Sequence, residues 1–308
     1  MCIDCGCPGS DQYDHGSDHH HHHGHDHGHH HDHDHEHDHD DHHDHHHDNL
    51  HSQHDGEHHD HHGHHHHDQH EHHEHHHDHG EAAGQAQRSG LKLQVETDIL
   101  AKNDRMAEAN RLLFRQKGLF VLNLVSSPGS GKTTILERTL KDNAGSCRFA
   151  VIEGDQQTDN DAVRIAATGV PVKQINTGAG CHLDAHMVLH ATEHLDLDQL
   201  DLLMIENVGN LVCPASFDLG EHHKVVVLSV TEGEDKPLKY PQMFHAATVM
   251  LLNKVDLLPY LDFDVEKCKE MARRVSPGIT IFEVSSRTGE GMNEWYAWLK
   301  GGVAGAKG

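Results

Sequence analysis

Residues 1–80 contain no Lys or Arg, and aromatic residues make up only 4% of the 308-residue chain. A segment without basic side chains and with very few large apolar ones can neither neutralise phosphate nor build a core, and the acidic balance of the whole chain makes duplex nucleic acid an unexpected partner. No window approaches the roughly 18 consecutive apolar residues of a membrane span. No basic start followed by an apolar run resembles a secretory signal. The expectation is a cytoplasmic protein without membrane contact. The seven Cys, at 2, 5, 7, 147, 181, 213 and 268, are odd in number. Without an export signal they do not suggest a disulfide framework, which leaves thiolate chemistry or metal binding.

What is abundant is histidine: 37 of the 44 His lie within residues 1–80, together with 20 Asp and Glu. The net charge of −26 is thus carried mostly by this segment, since residues 81–308 hold 30 acidic against 24 basic groups. The composition divides the chain into a terminal motif (1–7), a disordered His/Asp-rich arm (8–90) and a folded domain (91–308). From His15 to His79 the arm has almost nothing to bury and cannot repay the entropy of ordering. Neutral imidazole is a common ligand for borderline divalent metals. At about four ligands per ion, 37 imidazoles would hold on the order of nine ions. Protons compete for the same lone pairs, so occupancy should fall below pH ~6.5. Ahead of the arm, Met-Cys-Ile-Asp-Cys-Gly-Cys groups three thiols, Cys2, Cys5 and Cys7. With the α-amino group they offer four donors suited to Ni²⁺ or Zn²⁺.

The remaining length is enough for one well-buried core. A Leu-spaced stretch at 91–118 reads as a helix ended by Gly118. Seven short apolar runs follow, at 119–125, 148–152, 170–175, 202–205, 225–230, 248–252 and 279–284. Helical patterns separate most of them, at 131–142, 158–168, 183–195, 264–275 and 290–299. Apolar strands alternating with helices imply an α/β fold with a mainly parallel seven-stranded sheet covered on both faces.

The first strand runs into Ser-Ser-Pro-Gly-Ser-Gly-Lys-Thr-Thr at 126–134. Strand before and helix after are the confirming context of a phosphate-binding P-loop. Gly129, Ser130, Gly131 and Thr134 supply backbone N–H groups to phosphate, Lys132 reaches the β/γ oxygens, and Thr133 ligates Mg²⁺. Ser126 stands where the motif usually begins with Gly, at the strand exit. The base is chosen by Asn253-Lys254-Val-Asp256: a carboxylate accepts two hydrogen bonds from guanine N1–H and its amino group, which adenine lacks. Ser285, Ser286 and Arg287 fit a loop lining guanine from the other side. Glu206 and Gly209 occupy the place of an Asp-x-x-Gly γ-phosphate switch, with Asn210 where a water-orienting Gln often stands. Slow intrinsic hydrolysis of GTP to GDP follows. Asp155, at the end of the second strand, serves Mg²⁺ or water, or else caps a turn.

Gly-Ala-Gly-Cys181-His182 precedes a helix, and Cys213 follows Glu206 by seven residues. At a turn Cys181 and His182 can face one ion and form a Cys₂His set with Cys213, within one chain or across a two-fold axis; a free Cys also serves as a small buried apolar residue. His182, His186, His190 and His194 recur every four residues and read as an exposed helix face, because each step drifts about 40°.

Taken together, MCIDCGC, SSPGSGKTT, EGD, GAGCH, ENVGNLVCP, EGEDKPLKYP, NKVD and SSRTGEG resemble the hydrogenase nickel-incorporation GTPases, the HypB family. The resemblance covers the terminus and about 90–300. It implies a SIMIBI-type P-loop GTPase that forms a homodimer and helps insert nickel into the large-subunit precursor of [NiFe]-hydrogenase. It also implies an accessory partner of the HypA type, nickel at Cys2, Cys5 and Cys7, and a Zn²⁺/Ni²⁺ site at the dimer face from Cys181, His182 and Cys213. Arm length varies in that family, so storage is an addition to the shared mechanism. Competing readings are a urease-type accessory GTPase, which lacks the terminal Cys motif, and a storage protein with a vestigial nucleotide site. A P-loop kinase is disfavoured by Asn253-Lys-Val-Asp256.

Overall fold

Alternating apolar side chains set the architecture. The computed structural model describes residues 79–156 and 160–308; the terminal thiols Cys2, Cys5 and Cys7 and the arm through residue 78 lie outside the described residues. Seven strands form one sheet: β1 (Phe120–Ser126), β2 (Phe149–Asp155), β3 (Val172–Asn176), β4 (Leu202–Gly209), β5 (His223–Ser229), β6 (Val249–Asn253) and β7 (Thr280–Glu283). Their order is β3-β2-β4-β1-β5-β6-β7 and every pairing is parallel.

Period-two alternation distributes each strand between two faces. Leu122, Leu124, Val151, Met204, Val227 and Leu251 pack on one face with Ile135, Leu136 and Trp295. These come from α2 (Lys132–Asp142) and α8 (Met292–Lys307). On the opposite face Val121, Ile152 and Ile205 meet Phe114 of α1 (His79–Gln116) and Val188 of α4 (Ala185–Thr192). Farther along that face Val226 and Met250 meet Phe244 of α6 (Pro241–Ala246) and Cys268 of α7 (Val265–Val275). Each fully buried Leu or Phe contributes about 1.5–3 kcal/mol, so the two layers hold the sheet rigid beneath its loops.

All seven expected strands are present, and so are all the expected helices. Helix α1 starts at His79, inside the stretch that composition alone assigned to the arm. α3 (Asn160–Ala166) ends before the pattern at 158–168 does, and α4 is shorter than the pattern at 183–195, with the Asp184 side chain capping its first turn. The short α5 (Lys236–Lys239) and α6 lie outside the expected helical patterns; Pro237 and Pro241 sit in their first turns, where a missing N–H costs nothing. α1 docks through two buried amides. Asn110 Nδ2 donates to the carbonyls of Ala185 (2.8 Å) and Leu219 (3.0 Å), and Asn103 bonds Asp218 and Ala185. No helix among the described residues is long and apolar enough to cross a membrane.

The chain fills the sheet on one side of β1 with β2, β3 and β4, then reverses to the other side with β5, β6 and β7. In open α/β sheets such a reversal leaves a crevice at the carboxyl ends of the strands, where ligands bind.

Candidate functional site

The crevice lies where β1 passes into α2. Ser126 ends β1, buried between Gly209 of β4 and Val227 of β5, so the substitution of the usual first Gly falls in the sheet. Gly131 caps α2 in the left-handed region (φ 92°) without a side-chain cap. The first N–H groups of α2 therefore keep their capacity for an anion. A Cβ on Gly131 would stand 2.5 Å from Asn253 Nδ2. That closeness is functional packing: Asn253 Nδ2 donates to the Ser130 carbonyl at 2.9 Å, and Lys254 Nζ reaches across to the Gly129 carbonyl at 2.8 Å. The base-recognition strand end thus braces the phosphate loop directly. Asn253 Oδ1 accepts from the Ser286 N–H (3.2 Å) and Ser285 Oγ donates to Asp256 Oδ1 (2.6 Å), which fixes the carboxylate's orientation. The three sequence-separated loops meet at one point. Arg287 is exposed, and its backbone carbonyl accepts from Arg138 Nη1 at 3.5 Å.

Beneath the loop lies a buried acidic floor. Glu206 Oε1 takes hydrogen bonds from Thr133 Oγ1 (2.6 Å) and Lys132 Nζ (3.0 Å), while Thr133 Oγ1 also lies 2.9 Å from Asp161 Oδ2. Glu153 pairs in register with Glu206 across β2 and β4, and each has one carboxylate oxygen, Oε2, buried without a hydrogen-bond partner. Burial, then the charges of Glu206, Asp155 and Asp161, push the Glu153 carboxyl up to about 8. Thr134 Oγ1 lies 3.3 Å from Arg164 Nη2. Gly209 lets β4 end against the loop, since a Cβ there would touch Pro128 at 3.3 Å.

Cys181, His182 and Cys213 converge: one ligand atom from each lies within 4.8 Å of the others. The turn before Cys181 is locked by Gly180 N–H to the Thr177 carbonyl (2.8 Å) and by Thr177 Oγ1 to the Gly180 carbonyl (2.8 Å). Both thiols are buried, and the His182 ring lies 3.9 Å from that of Phe217. Burial holds His182 below its ordinary value, favouring the neutral imidazole that ligates metal. Of the four His expected on an exposed helix face, His186, His190 and His194 are exposed, whereas His182 lies before α4 and is partly buried against Phe217; the His190 and His194 rings are in contact.

Residues 120–283 match the CobW/HypB/UreG nucleotide-binding domain family. A hydrogenase maturation factor HypB from Azotobacter vinelandii is 64% identical over 225 residues, covering 72% of this chain and 74% of that one. The Escherichia coli K12 HypB is 63% identical over 229 residues, 73% and 78% of the two chains. The chain belongs to the HypB family of hydrogenase maturation factors. A crystal structure of HypB from Helicobacter pylori in complex with nickel aligns with a TM-score of 0.63 at 42% identity, over 66% of this chain and 95% of that one. The HypB from Archaeoglobus fulgidus aligns with a TM-score of 0.62 at 41% identity, over 66% and 99%.

In this HypB-family chain Asn210, which follows Gly209 at the phosphate loop, is bonded to the thiol cluster. Its Nδ2 donates to the Cys181 carbonyl at 3.4 Å and its Oδ1 accepts from Val212 N–H at 2.8 Å. The side chain that stands where a water-orienting Gln often does is thus engaged with the thiol cluster. Residue-level reading missed four members of the nucleotide site: Glu153, Asp161, Glu232 and Lys236. Glu232 Oε1 accepts from Ser130 Oγ (2.7 Å) and from Ser229 N–H, and Lys236 pairs with Glu232 (3.3 Å) and reaches Ser127 Oγ. The available signal was two Glu at matched ends of apolar strands, Glu153 and Glu206, and the charged run Glu232–Lys236. Asp155, by contrast, was singled out by sequence; it ends β2 beside Glu153, and its backbone carbonyl accepts from Thr177.

Proposed function

We propose that the chain is a GTP-hydrolysing metallochaperone that stores nickel and helps insert it into the large-subunit precursor of [NiFe]-hydrogenase. The observation that carries this reading is the Asn210 bond to the Cys181 carbonyl, one residue beyond Gly209 at the P-loop. A rearrangement of residues 206–213 on phosphate binding or release displaces Cys213 relative to Cys181 and His182, and so alters the hold on nickel, which is cargo. Such a coupling needs differential contacts in two states, and the bond from Asn210, next to Gly209, to the Cys181 carbonyl supplies a contact to make or break.

GTP is bound with guanine on Asp256 between Lys254 and the Ser285–Arg287 loop, and with its phosphates in the turn 129–134. Lys132 exchanges Glu206 for the β/γ oxygens, while Glu206 keeps Thr133 in register. Thr133 Oγ1, which lies 2.6 Å from Glu206 Oε1 and 2.9 Å from Asp161 Oδ2, and the orphaned Glu206 Oε2 offer hard oxygen donors that fit Mg²⁺. Thr133 would hold it, and it would supply charge neutralisation on the phosphates. Hydrolysis is mostly positioning, and with Asn210 committed elsewhere the intrinsic rate is slow.

The remaining assignments extend this reading: a homodimer with nickel or zinc at Cys181, His182 and Cys213, a nickel site at Cys2, Cys5 and Cys7, an arm (8–90) that buffers nickel, a GTPase domain (91–308), a cytoplasmic location and a HypA-type partner. GTP turnover and light-scattering mass of the full chain, measured with and without nickel, test the central claim. Lys132→Ala should abolish turnover and leave nickel binding by the arm intact, and Cys181→Ala should remove any nickel response of turnover or mass. Nickel-independent turnover and mass in the parent chain overturn the coupling.

A further inference from the structure

The two halves of the thiol cluster come from different parts of the chain, Cys181-His182 before α4 and Cys213 after β4, yet a continuous buried polar chain joins their backbones. Leu183 N–H, next to His182, donates to Asn207 Oδ1 (3.1 Å). Asn207 Nδ2 donates to Asn123 Oδ1 (3.2 Å), and Asn123 Nδ2 to Glu221 Oε1 (3.1 Å). Glu221 lies 3.8 Å from Lys224 Nζ, and its other oxygen accepts from Leu219 N–H at 2.7 Å. Lys224 Nζ ends the chain on the carbonyls of Pro214 (2.7 Å), Phe217 (3.0 Å) and Ala215 (3.4 Å).

These carbonyls belong to the 3₁₀ turn Cys213–Ala215 and the residues just past it. Terminal carbonyls of so short a turn lack internal partners. An ammonium has three N–H donors, and here three carbonyls converge on it. Burying such a cation in a sheet is costly unless it is paired and bonded, and Glu221 provides the counter-charge. None of these side chains contacts the phosphate loop or the base-recognition residues in the bonds described above. The turn they hold carries Cys213, and Phe217 packs on the His182 ring.

We propose that Lys224, anchored through Glu221, Asn123 and Asn207, is a positioning residue for the metal cluster, fixing the Cys213 turn at ligating distance from Cys181 and His182. This rests on the reading of that cluster as a nickel site. Partners of this kind behind a ligand usually matter 10- to 100-fold in metal affinity.

The test uses the full chain carrying Cys2→Ser, Cys5→Ser and Cys7→Ser; of the four thiols left, burial holds Cys147 and Cys268 protonated, so cysteine-to-nickel charge-transfer absorption reports Cys181 and Cys213, and imidazoles of the arm do not give that band. Nickel is titrated against a chelator. Lys224→Met leaves Glu221 buried and unpaired, which by itself destabilises a fold, so it is accompanied by the double variant Glu221→Gln/Lys224→Met, which removes both charges. In the double variant the band should require about 10- to 100-fold more free nickel while GTP affinity stays at the parent value. An unchanged nickel midpoint overturns the proposal, as does a parallel loss of GTP affinity, which would make the pair a folding element only. Absence of the band in the triple-Ser parent would instead overturn the cluster's role as a nickel site.

Discussion

Replacing Glu153 by Gln should change the pH dependence of stability in a calculable way. Glu153 faces Glu206 in register on the neighbouring strand, and burial with the charges of Glu206, Asp155 and Asp161 pushes its carboxyl up to about 8 from an ordinary value of 4.5. Between those values the folded protein holds a proton that the unfolded chain has released. Stability from this group is therefore complete below pH 4.5 and drains away as pH rises, by about 1.4 kcal/mol per unit. Over the whole interval the loss is at most about 5 kcal/mol. A Gln amide mimics the protonated acid and does not titrate, so Glu153→Gln should match the parent near pH 5 and exceed it by several kcal/mol at pH 8.5. Urea unfolding of the nucleotide-free proteins in EDTA, at pH 5, 6, 7, 8 and 8.5, reads the difference directly. Groups that titrate alike in parent and variant cancel. A difference constant across that range would show that Glu153 and Glu206 do not compete for charge, and the acidic floor would need another explanation.

Three further outcomes follow from the same geometry. Gly131→Ala places a methyl group 2.5 Å from Asn253 Nδ2 at a φ of 92°, so GTP binding measured by fluorescent-analogue titration should be abolished; binding at the parent affinity would mean the Asn253 brace is dispensable. Asp256→Asn removes the carboxylate held by Ser285 and should weaken GTP by about 10- to 100-fold, the cost of one or two charged hydrogen bonds, without improving ATP. Asn210→Ala deletes the bond to the Cys181 carbonyl; nickel affinity should then stop responding to the choice of GTP or GDP, while GTP turnover persists, and a retained nucleotide response would locate the coupling elsewhere.

The chain's own order of residues determined the class of this protein. Seven apolar runs, a Gly-rich turn after the first, Asn253-Lys-Val-Asp256 after the sixth and Ser285 to Gly289 after the seventh are local patterns, because strand burial, loop flexibility and base recognition each demand particular residues at short spacing. Sequence likewise brought Cys181, His182 and Cys213 forward as one set, although it could not choose between a single-chain cluster and a site shared across a two-fold axis; the fold brings all three ligand atoms together within one chain. What the tertiary structure decided is how separate patterns meet. Sheet register, not spacing, sets Glu153 opposite Glu206. The place of β6 in the sheet, one strand removed from β1, brings Asn253 and Lys254 onto the phosphate loop. The buried run from Asn207 through Asn123 and Glu221 to Lys224 joins residues as far as 98 apart in sequence. Such contacts leave no periodic or local signature, since a buried polar side chain is tolerated only where partners from distant segments converge, and that convergence exists only once the sheet has formed.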